Sequence, residues 1–478
     1  MKLFNTLSRK IEEVVPISPG KIGLYACGPT VYDYAHLGHL RKYIMDDVLV
    51  RALRYQGFEV NHVMNITDVG HLVSDDDAGE DKLEKGARKH GISVWEVAKR
   101  FEEHFWKSLD TVHVQRPTVS CRATDHIAEQ IAMIRSLEEK GFTYKTPDGL
   151  YFDTSKVKQY GALARLKADG LQAGARVKMA GKKYLTDFAL WKFSPTEEKR
   201  QMEWDSPWGK GFPGWHIECS AMSVRYLGEQ FDIHTGGIDH ITVHHPNEIA
   251  QSECATGKTP FVKIWVHHNF LQVEGQKMSK SLGNVCRIED VIEKGYLPEA
   301  LRLLFLGAHY RSEMNFTWDG LAGAEKALNR LILQLVVARA EQERTVLSQE
   351  KLEKLDAFRA KFFSAVQHDL NLAEAIVVVW EVMKSNVPGQ DKYDLVLEFD
   401  SVLGLNLAGL CAQAQAISHQ PEDIPEDIQL LAQKRSEAKR NHDYVLADTL
   451  RAQLEQLGWE IQDTGGEYIL RPKKIPRS

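Results

Sequence analysis

A short motif near the N-terminus, His36-Leu37-Gly38-His39, combines residue types that can bind phosphate. It follows a predicted strand and starts a predicted helix, where backbone N–H groups and the helix dipole favour an anion. Gly38 allows close approach of the backbone to a nucleotide, and the two histidines can donate hydrogen bonds to phosphate oxygens as charge develops. Alone, this pattern fits hydrogen-bonded surface histidines better than a nucleotide site.

A second motif, Lys277-Met278-Ser279-Lys280-Ser281, lies on a predicted polar loop after the apolar stretch 264–273. By itself it fits a solvated cluster of charge. Two lysines that flank a loop are also suited to closing over ATP and stabilising the negative charge that builds on the reacting phosphate. Because both motifs occur in this order, the pair indicates a nucleotide site far more specifically than either motif alone.

The hydrophobic pattern predicts the elements that position the first motif. Residues 21–26 and 59–66 have the pattern of strands, and residues 40–55 have that of a helix, which predicts a βαβ unit at the start of a parallel sheet. From about residue 117 to 205 the pattern changes to mixed charged helix and short strands, including 151–153 and 188–191. We interpret this region as an insertion that splits a nucleotide-binding domain.

The region beyond Ser281 is predicted to be mostly helical. Apolar residues recur three and four positions apart in two sets: Leu328, Leu331, Ile332 and Leu335, then Leu355, Phe358 and Phe362. Two prolines and two acids at 419–425 suit a linker. Beyond it, a helix ended by Gly458 and two short strands around a turn at 464–466 predict a small last domain.

Length and composition favour a multidomain globular protein. The chain has 478 residues, 43% hydrophobic and 26% charged, which excludes collagen-like, disordered and disulfide-scaffold classes. The net charge of -6 argues weakly against RNA binding, so a nucleic-acid partner must meet a local basic surface. The N-terminus lacks a signal-peptide pattern, no apolar stretch is long enough for a bilayer, and the six cysteines are scattered. These features predict a cytoplasmic protein with reduced thiols and no membrane contact.

Together the two motifs resemble the signatures of class I aminoacyl-tRNA synthetases, since HLGH is similar to HIGH and KMSKS is the second signature. The strings at 25–33, 65–69, 214–222 and 310–312 narrow the resemblance to the cysteinyl-tRNA synthetase family. The resemblance covers nearly the whole chain and is densest from Asn5 to Trp318. It implies that ATP, accompanied by Mg²⁺, activates L-cysteine as an adenylate, and that the acyl group then passes to tRNA(Cys).

The resemblance also assigns roles to the predicted domains. The predicted fold class is α/β, with a Rossmann-like parallel-sheet catalytic domain that contains an insertion, followed by a helical bundle and a small α+β C-terminal domain. The predicted boundaries are 1–116 and 206–285 for the two halves of the catalytic domain, 117–205 for the connective insertion, 286–330 for a stem-contact region, 331–418 for the bundle and 425–478 for an anticodon-binding domain.

By resemblance, one zinc ion per chain is held by Cys27, Cys219, His244 and Glu248. These residue types bind zinc, although their wide separation gives no finger-like spacing. Pro246 can start a helix, so His244 and Glu248, which are four residues apart, can converge. Taken singly, Cys219 also fits a small core residue, and His244 or its neighbour His245 fits a hydrogen-bonded polar group. Zinc favours thiolate sulfur, which predicts selection of cysteine over serine without editing.

The remaining site residues are also implied by the resemblance. The wall of the cysteine pocket is assigned to Thr67, Trp215 and His234. Catalysis is assigned to His36, His39, Lys277 and Lys280, and ATP binding to His36, Gly38, His39, Gly236, Asp239 and Lys280. Asp239 is the candidate for the ribose hydroxyls, although Gly-Gly-x-Asp is commonly only a turn. Lys439, Asp448 and Asp463 align with anticodon-reading positions, with a charged amphipathic helix as the alternative.

Three departures from the family pattern concern the surroundings of the site. Pro246 replaces an acid, Phe212 replaces an arginine, and Gly70-His71 replaces two acids. Two rival functions are a cysteine ligase of thiol-cofactor biosynthesis, which lacks the anticodon-binding module, and a non-catalytic tRNA-binding protein. The region 428–471 argues against the first, and the intact histidines and lysines of the two motifs argue against the second. A monomer is predicted in preference to an oligomer.

Overall fold

The computed structural model describes residues 1–69, 82–165, 181–195, 200–278, 283–340, 346–418, 425–464 and 467–472. The chain forms two compact units. The first comprises residues 1–287 with the segments 309–315 and 367–370, and the second comprises 288–308, 316–366 and 371–478. The six predicted domain boundaries stay predictions.

The strands are β1 (Lys2–Asn5), β2 (Lys10–Glu13), β3 (Lys21–Ala26), β4 (Glu59–Ile66), β5 (Val119–Arg122), β6 (Thr143–Thr146), β7 (Gly149–Phe152), β8 (Phe188–Phe193), β9 (Gly211–Pro213), β10 (Phe231–Gly237), β11 (Val262–His268), β12 (Leu271–Val273), β13 (Gln276–Lys277), β14 (Met314–Phe316), β15 (Trp459–Thr464) and β16 (Glu467–Pro472). The helices are α1 (Leu37–Tyr55), α2 (Lys82–His90), α3 (Val94–Thr111), α4 (Ile127–Glu139), α5 (Trp215–Leu227), α6 (His244–Thr256), α7 (Ile288–Glu293), α8 (Pro298–Leu306), α9 (Trp318–Ala340), α10 (Gln349–Gln367), α11 (Leu372–Lys384), α12 (Gly389–Leu403), α13 (Leu407–Ser418), α14 (Glu426–Arg440) and α15 (Tyr444–Gln456).

A five-stranded parallel sheet forms the centre of the first unit, in the order β11-β10-β3-β4-β5. Its inner strands are largely buried, as expected when a parallel sheet is covered on both faces. The predicted βαβ unit is present, and β3 and β4 occupy the predicted residues. The helix between them begins at Leu37 rather than at residue 40, because His36 caps its N-terminus. The predicted α/β fold class is confirmed.

A four-stranded antiparallel sheet, in the order β6-β7-β8-β9, has its first three strands in the region predicted as an insertion and its fourth, β9, beyond the predicted end at residue 205. The predicted strands at 151–153 and 188–191 correspond to β7 and β8. Side chains of this sheet and of α4 form a common apolar core, which includes Ile134, Leu137, Phe152, Leu190 and Trp191. The same core reaches Ile217 of α5 and so supports the helix that follows β9.

The second unit is helical from α7 to α13 and ends in a small α+β module. In that module α14 and α15 pack on the β15-β16 hairpin around Ile428, Ala432, Leu454 and Ile461. Gly458, which follows the C-cap residue Leu457 of α15, takes a φ of +80°, the left-handed conformation that commonly ends a helix. The predicted linker lies outside the described residues except for Pro425. Among the described residues, no helix is long and apolar enough to cross a membrane.

The N-terminus of α5 provides a test of local packing. A Cβ on Gly214 would lie 2.0 Å from Ala189 O, whereas one on Gly323, an exposed position in α9, would meet nothing within 4 Å. We expect Gly214→Ala to lower the free energy of unfolding by about 1–3 kcal/mol. The matched variant Gly323→Ala should raise it by up to about 1 kcal/mol, because alanine is the better helix former.

The measurement is urea unfolding followed by tryptophan fluorescence, with the parent protein beside both variants. Equal midpoints for Gly214→Ala and Gly323→Ala would contradict the packing around Gly214.

Candidate metal centre and nucleotide site

The candidate metal centre forms where two parallel strands lie side by side. In the pairing of β3 with β10, Tyr25 is opposite His234 and Ala26 is opposite Thr235. Cys27 directly follows β3, and its N–H donates to Thr235 O at 3.0 Å. Because parallel strands have their carboxyl ends at the same edge of the sheet, this pairing places Cys27 beside the end of β10.

Two helices position the other three predicted ligands. Cys219 lies on α5, and α6 begins at His244, with Pro246 in the first turn where its missing N–H is not needed. His244 and Glu248 are therefore one turn apart on the same helix face. One ligand atom from each of Cys27, Cys219, His244 and Glu248 lies within 4.8 Å of the others, and all four side chains are buried. The structure thus brings the four predicted ligands together.

A second set of donor atoms surrounds the same place. Cys27 and Glu248 also lie within 4.8 Å of ring nitrogens of His234 and His245. His245 Nε2 is 3.4 Å from Cys27 Sγ, and its Nδ1 is 2.7 Å from His267 Nε2. The sequence pattern gives His245 and His267 no functional role. Their only signal in the sequence is that each belongs to an adjacent pair of histidines.

Glu248 is the charged centre of this cluster. Its side chain is 0% exposed, its Oε2 is 3.0 Å from His234 Nε2, and its Oε1 is 2.9 Å from His244 Nε2. Burial opposes ionisation, but His234 and His244 hold the pKa of Glu248 well below its usual range. Burial also opposes protonation of His244, but Glu248 and Cys219 raise the pKa of His244 to about 10. The short contact between Glu248 Oε1 and His244 Nε2 lacks the geometry of a hydrogen bond, and among the described residues Oε1 has no other hydrogen-bond partner, which fits two atoms that bind one cation.

The two thiols also fit a cation. Burial raises the pKa of Cys27, and a hydrogen bond with Cys27 together with burial raises the pKa of Cys219 well above its usual value. Both thiols therefore keep their protons at neutral pH unless a cation is bound. Because a metal binds the thiolate, a divalent cation would displace both protons on binding. Two sulfurs, an imidazole nitrogen and a carboxylate oxygen are the donor types that zinc accepts.

Hydrogen bonds from outside the cluster orient its ligands. His216 Nδ1 is 2.9 Å from His244 Nδ1, and Gln251 Nε2 donates to His216 O at 2.6 Å. Burial lowers the pKa of His216 well below its usual value, so this imidazole is neutral. Lys42 Nζ donates to Cys27 O at 2.6 Å. Partners of this kind fix the ring or backbone of a ligand, and the sequence pattern identifies none of them.

The three residues predicted to form the rest of the cysteine pocket lie on different elements. Trp215 begins α5, and its ring centroid is 4.4 Å from that of His244. His234 stacks on Trp265, with centroids 4.7 Å apart and planes at 23°. Thr67 follows β4, is buried, and bonds through its backbone to the loop after β3. Trp215 and His234 therefore contact the cluster directly, whereas the backbone of Thr67 is bound to the neighbouring loop.

His36 and His39 together cap α1. The N–H of His36 donates to His39 Nδ1 at 3.3 Å, the N–H of His39 donates to His36 Nδ1 at 3.4 Å, and the rings stack with centroids 3.6 Å apart. A Cβ on Gly38 would lie 3.1 Å from the His36 ring and 3.4 Å from Met278 Cε. The glycine therefore lets the first motif approach the second motif closely.

The described part of the second motif is close to the first. Lys277 ends β13 and is exposed, with Nζ 6.0 Å from the centre of the Phe270 ring. After the motif the chain returns to α1, where the N–H of Leu37 donates to Cys286 O at 2.9 Å. Lys280 lies outside the described residues.

The two residues predicted to bind the adenosine lie at the end of β10. A Cβ on Gly236 would lie 2.5 Å from His245 Cε1, so packing against His245 is sufficient to explain this glycine. Asp239 lies in the 3₁₀ turn Ile238–Ile241, and its side chain is 62% exposed. Its carboxylate is therefore accessible to a ligand.

Two of the three predicted anticodon residues, which lie in the second unit, are bound to each other. Asp463 accepts two hydrogen bonds from Arg435, at 2.6 and 2.8 Å, and its Oδ2 is 2.7 Å from Lys439 Nζ. Arg435 is buried, so this ion pair joins α14 to β15. Asp448 is exposed on α15. Asp463 thus has a structural role within this module.

The departures from the family pattern leave the predicted ligands in place. Phe212 is buried, and the guanidinium of Arg200 lies 3.8 Å over its ring. An arginine side chain therefore still lies beside position 212, but it comes from residue 200. Pro246 is buried in the first turn of α6. Gly70 and His71 lie outside the described residues.

Known proteins resemble the chain over nearly its whole length. Residues 13–326 match the family model described as tRNA synthetases class I (C) catalytic domain. Cysteine–tRNA ligase 1 of Burkholderia lata is 49% identical over 97% of this chain and 95% of its own length. Cysteine–tRNA ligase of Treponema denticola is 42% identical, over 98% of each chain.

Similarity to solved structures extends to more distant proteins with the same fold. Methionyl-tRNA synthetase of Mycobacterium tuberculosis, in complex with methionyl-adenylate, is 15% identical with a TM-score of 0.56, over 82% of this chain and 90% of that one. An Agrobacterium radiobacter LeuRS–tRNA complex is 13% identical with a TM-score of 0.58, over 84% and 86%. From the sequence relatives and the family model, the chain belongs to the cysteine–tRNA ligase family of class I tRNA synthetases.

Proposed function

We propose that the chain activates L-cysteine with ATP to give cysteinyl-adenylate and diphosphate, and then transfers the cysteinyl group to the 3′ end of tRNA(Cys) with release of AMP. The observation that carries this proposal is the buried group of Cys27, Cys219, His244 and Glu248 in the unit that also contains the HLGH turn. The soft donors suit a metal that also favours a thiol as a ligand. The N-terminus of α1 suits a phosphate.

Zinc is the cofactor that these four residues would hold. When bound, zinc supplies a soft Lewis acid that stabilises the substrate as a thiolate, for which the hydroxyl of serine is a poor substitute. The protein contributes orientation and a dry environment. His216 holds the ring of His244, His234 holds one oxygen of Glu248, and the indole of Trp215 covers the His244 ring. Burial of all four ligands excludes water and strengthens their electrostatic interactions.

ATP is proposed to bind at the start of α1 with Mg²⁺. There His36 and His39 would exchange their mutual hydrogen bonds for bonds to phosphate oxygens, and Lys277 and Lys280 would offset the charge that develops on the reacting phosphate. The remaining ATP contacts are assigned to Gly38 and Gly236 through the backbone, and to Asp239 at the ribose.

The transfer step requires recognition of tRNA by the second unit. Lys439, Asp448 and Asp463 are proposed to contact the anticodon, for which the exposed carboxylate of Asp448 is the most accessible acceptor. Since Asp463 is also bound to Arg435, its replacement should affect the stability of the module as well as tRNA binding. A monomeric state and a cytoplasmic location stay predictions.

The first test concerns the metal. In Cys219→Ser a hydroxyl replaces a buried thiolate, so we expect the affinity for zinc to fall by more than about tenfold. The matched control is Cys254→Ser, because Cys254 lies on α6 but outside the ligand cluster. Zinc is measured by atomic absorption after dialysis against a series of buffered zinc concentrations. Equal zinc affinity in the two variants would remove Cys219 from the ligand set.

The second test concerns direct contact between substrate and metal. Adding L-cysteine to cobalt-substituted protein should strengthen the sulfur-to-cobalt charge-transfer absorption, whereas adding L-serine should not. A closed site with no position for substrate predicts the same spectrum with and without cysteine. That unchanged spectrum, in fully cobalt-loaded protein, would leave the metal with a purely structural role.

The third test concerns the second motif. Lys280→Ala should slow adenylate formation by about a hundredfold and leave cysteine affinity nearly unchanged, because the ammonium acts on charge present in the transition state. Lys258→Ala, at an exposed lysine after α6, is the control. The measurement is single-turnover adenylate formation together with calorimetric cysteine binding. Loss of cysteine affinity with a normal activation rate would show that the assigned role is wrong.

A further inference from the structure

Arg41 is a buried arginine on α1, two residues after the HLGH motif. Its side chain is 2% exposed, and its guanidinium donates to four backbone carbonyl oxygens. Nη1 donates to Asn269 O and Phe270 O, both at 3.0 Å. Nη2 donates to His309 O at 3.0 Å and to Ser312 O at 2.7 Å. One side chain therefore connects α1 with two segments distant in sequence, and all of them belong to the first unit.

The two segments bound by Arg41 form the base of the hairpin that leads to the second motif. Asn269 and Phe270 lie between β11 and β12, and β12 pairs with β13, which contains Lys277. Residues 309–312 precede β14, the strand on the other side of β12. The N–H of Met314 donates to Phe270 O, the same oxygen that Arg41 contacts.

The segment 309–312 is itself held from the other side by Asp369. Its carboxylate accepts hydrogen bonds from Tyr310 OH at 2.6 Å and from Arg311 Nε at 2.8 Å. Asp369 is 2% exposed, so this contact is shielded from water. The carbonyl oxygens of His309 and Ser312, two of the four that Arg41 binds, are therefore preorganised rather than free to follow the guanidinium.

The groups that stabilise the charge of Arg41 in the described part of the chain are carbonyl dipoles. Among the described residues Arg41 forms no ion pair, and its Nε has no hydrogen-bond partner. Burial lowers the pKa of Arg41 to about 10, which leaves the guanidinium protonated at neutral pH. An ammonium would keep the charge, but it has three donors at one point and does not match the planar fork that reaches four oxygens on two segments.

We propose that Arg41 is a positioning residue for adenylate formation, which fixes the HLGH turn at the start of α1 in register with the base of the hairpin that bears the second motif. This inference rests on the proposed function. The turn and the hairpin supply the histidines and lysines that must act on the same phosphate, so a shift of about 1 Å between them is expected to cost about a hundredfold in rate. Binding of cysteine at the metal cluster does not require that register.

The experiment compares Arg41→Lys with Arg51→Lys, ten positions further along the same helix. Arg51 is mostly buried, with its side chain 12% exposed, and it binds elsewhere: Nε to Asp47 Oδ2 at 2.7 Å and Nη2 to His113 O at 2.9 Å. Cysteine-dependent ATP–diphosphate exchange should show a kcat lowered about tenfold to a hundredfold in Arg41→Lys, with the KM for cysteine and the zinc content unchanged. Arg51→Lys should retain the parent kcat.

A structural readout accompanies the kinetics. Hydrogen–deuterium exchange of the zinc-loaded protein should be faster in peptides covering 269–278 and 309–316 of Arg41→Lys, and unchanged in peptides covering 44–55. Asp369→Asn should loosen 309–312 without altering α1. Like Arg41→Lys, it should speed hydrogen–deuterium exchange and lower kcat, but each to a smaller extent.

The outcomes distinguish failure of the positioning role from failure of the proposed function. Three results would each overturn the positioning role: an unchanged kcat in Arg41→Lys, equal losses of kcat in Arg41→Lys and Arg51→Lys, or hydrogen–deuterium exchange that is faster throughout the protein. If the parent protein itself showed no cysteine-dependent ATP–diphosphate exchange, the proposed function would fail. Hydrogen–deuterium exchange of 269–278 would still decide whether Arg41 holds the hairpin.

Discussion

A carboxylate with no exposed surface is stable only if protein groups replace its water, and Glu248 imposes this requirement on the centre of the first unit. One oxygen is bound to His234 of β10, and the other lies against His244 of its own helix. Each histidine is in turn fixed by a ring, Trp265 or Trp215. The position of α6 against the sheet, and therefore the approach of its His244 and Glu248 to the two cysteines, depends on satisfying this one charge.

The same helix α1 is connected to both halves of the site. Its N-terminus is the HLGH turn, Lys42 donates to the carbonyl of Cys27, and Arg41 donates to the base of the hairpin before the second motif. Asp46, one turn further along, is bound to His268 at the end of β11. Three consecutive turns of one helix thus connect the candidate metal ligands, the candidate nucleotide site and the sheet. This rigidity is what a reaction between two bound substrates requires.

Sequence reasoning predicted the features that have a local pattern. β3 and β4 were predictable from alternation and apolar runs, and the HLGH and KMSKS motifs from their order along the chain. The ligands Cys27 and Cys219 have no informative spacing, so only family resemblance identified them, and their convergence depends on which strands are neighbours. His216, His267 and Arg41 could not be predicted, because their partners are a side chain or carbonyl oxygens distant in sequence, and such partners leave no periodicity. The glycine at 236 illustrates the opposite case, where the packing of His245 explains a residue that the sequence assigns to ligand binding.

The strand order β11-β10-β3-β4-β5 has a consequence for synthesis of the chain on the ribosome. One edge of β3 pairs with β4, which follows it closely, but the other edge pairs with β10, about 200 residues later. At 5–20 residues per second, this edge waits roughly 10–40 s for its partner. During that interval the nascent protein has an apolar strand with unpaired backbone groups, which is the kind of edge that pairs with other chains. The long segment between β5 and β10 therefore lengthens the period in which the growing chain depends on protection from aggregation.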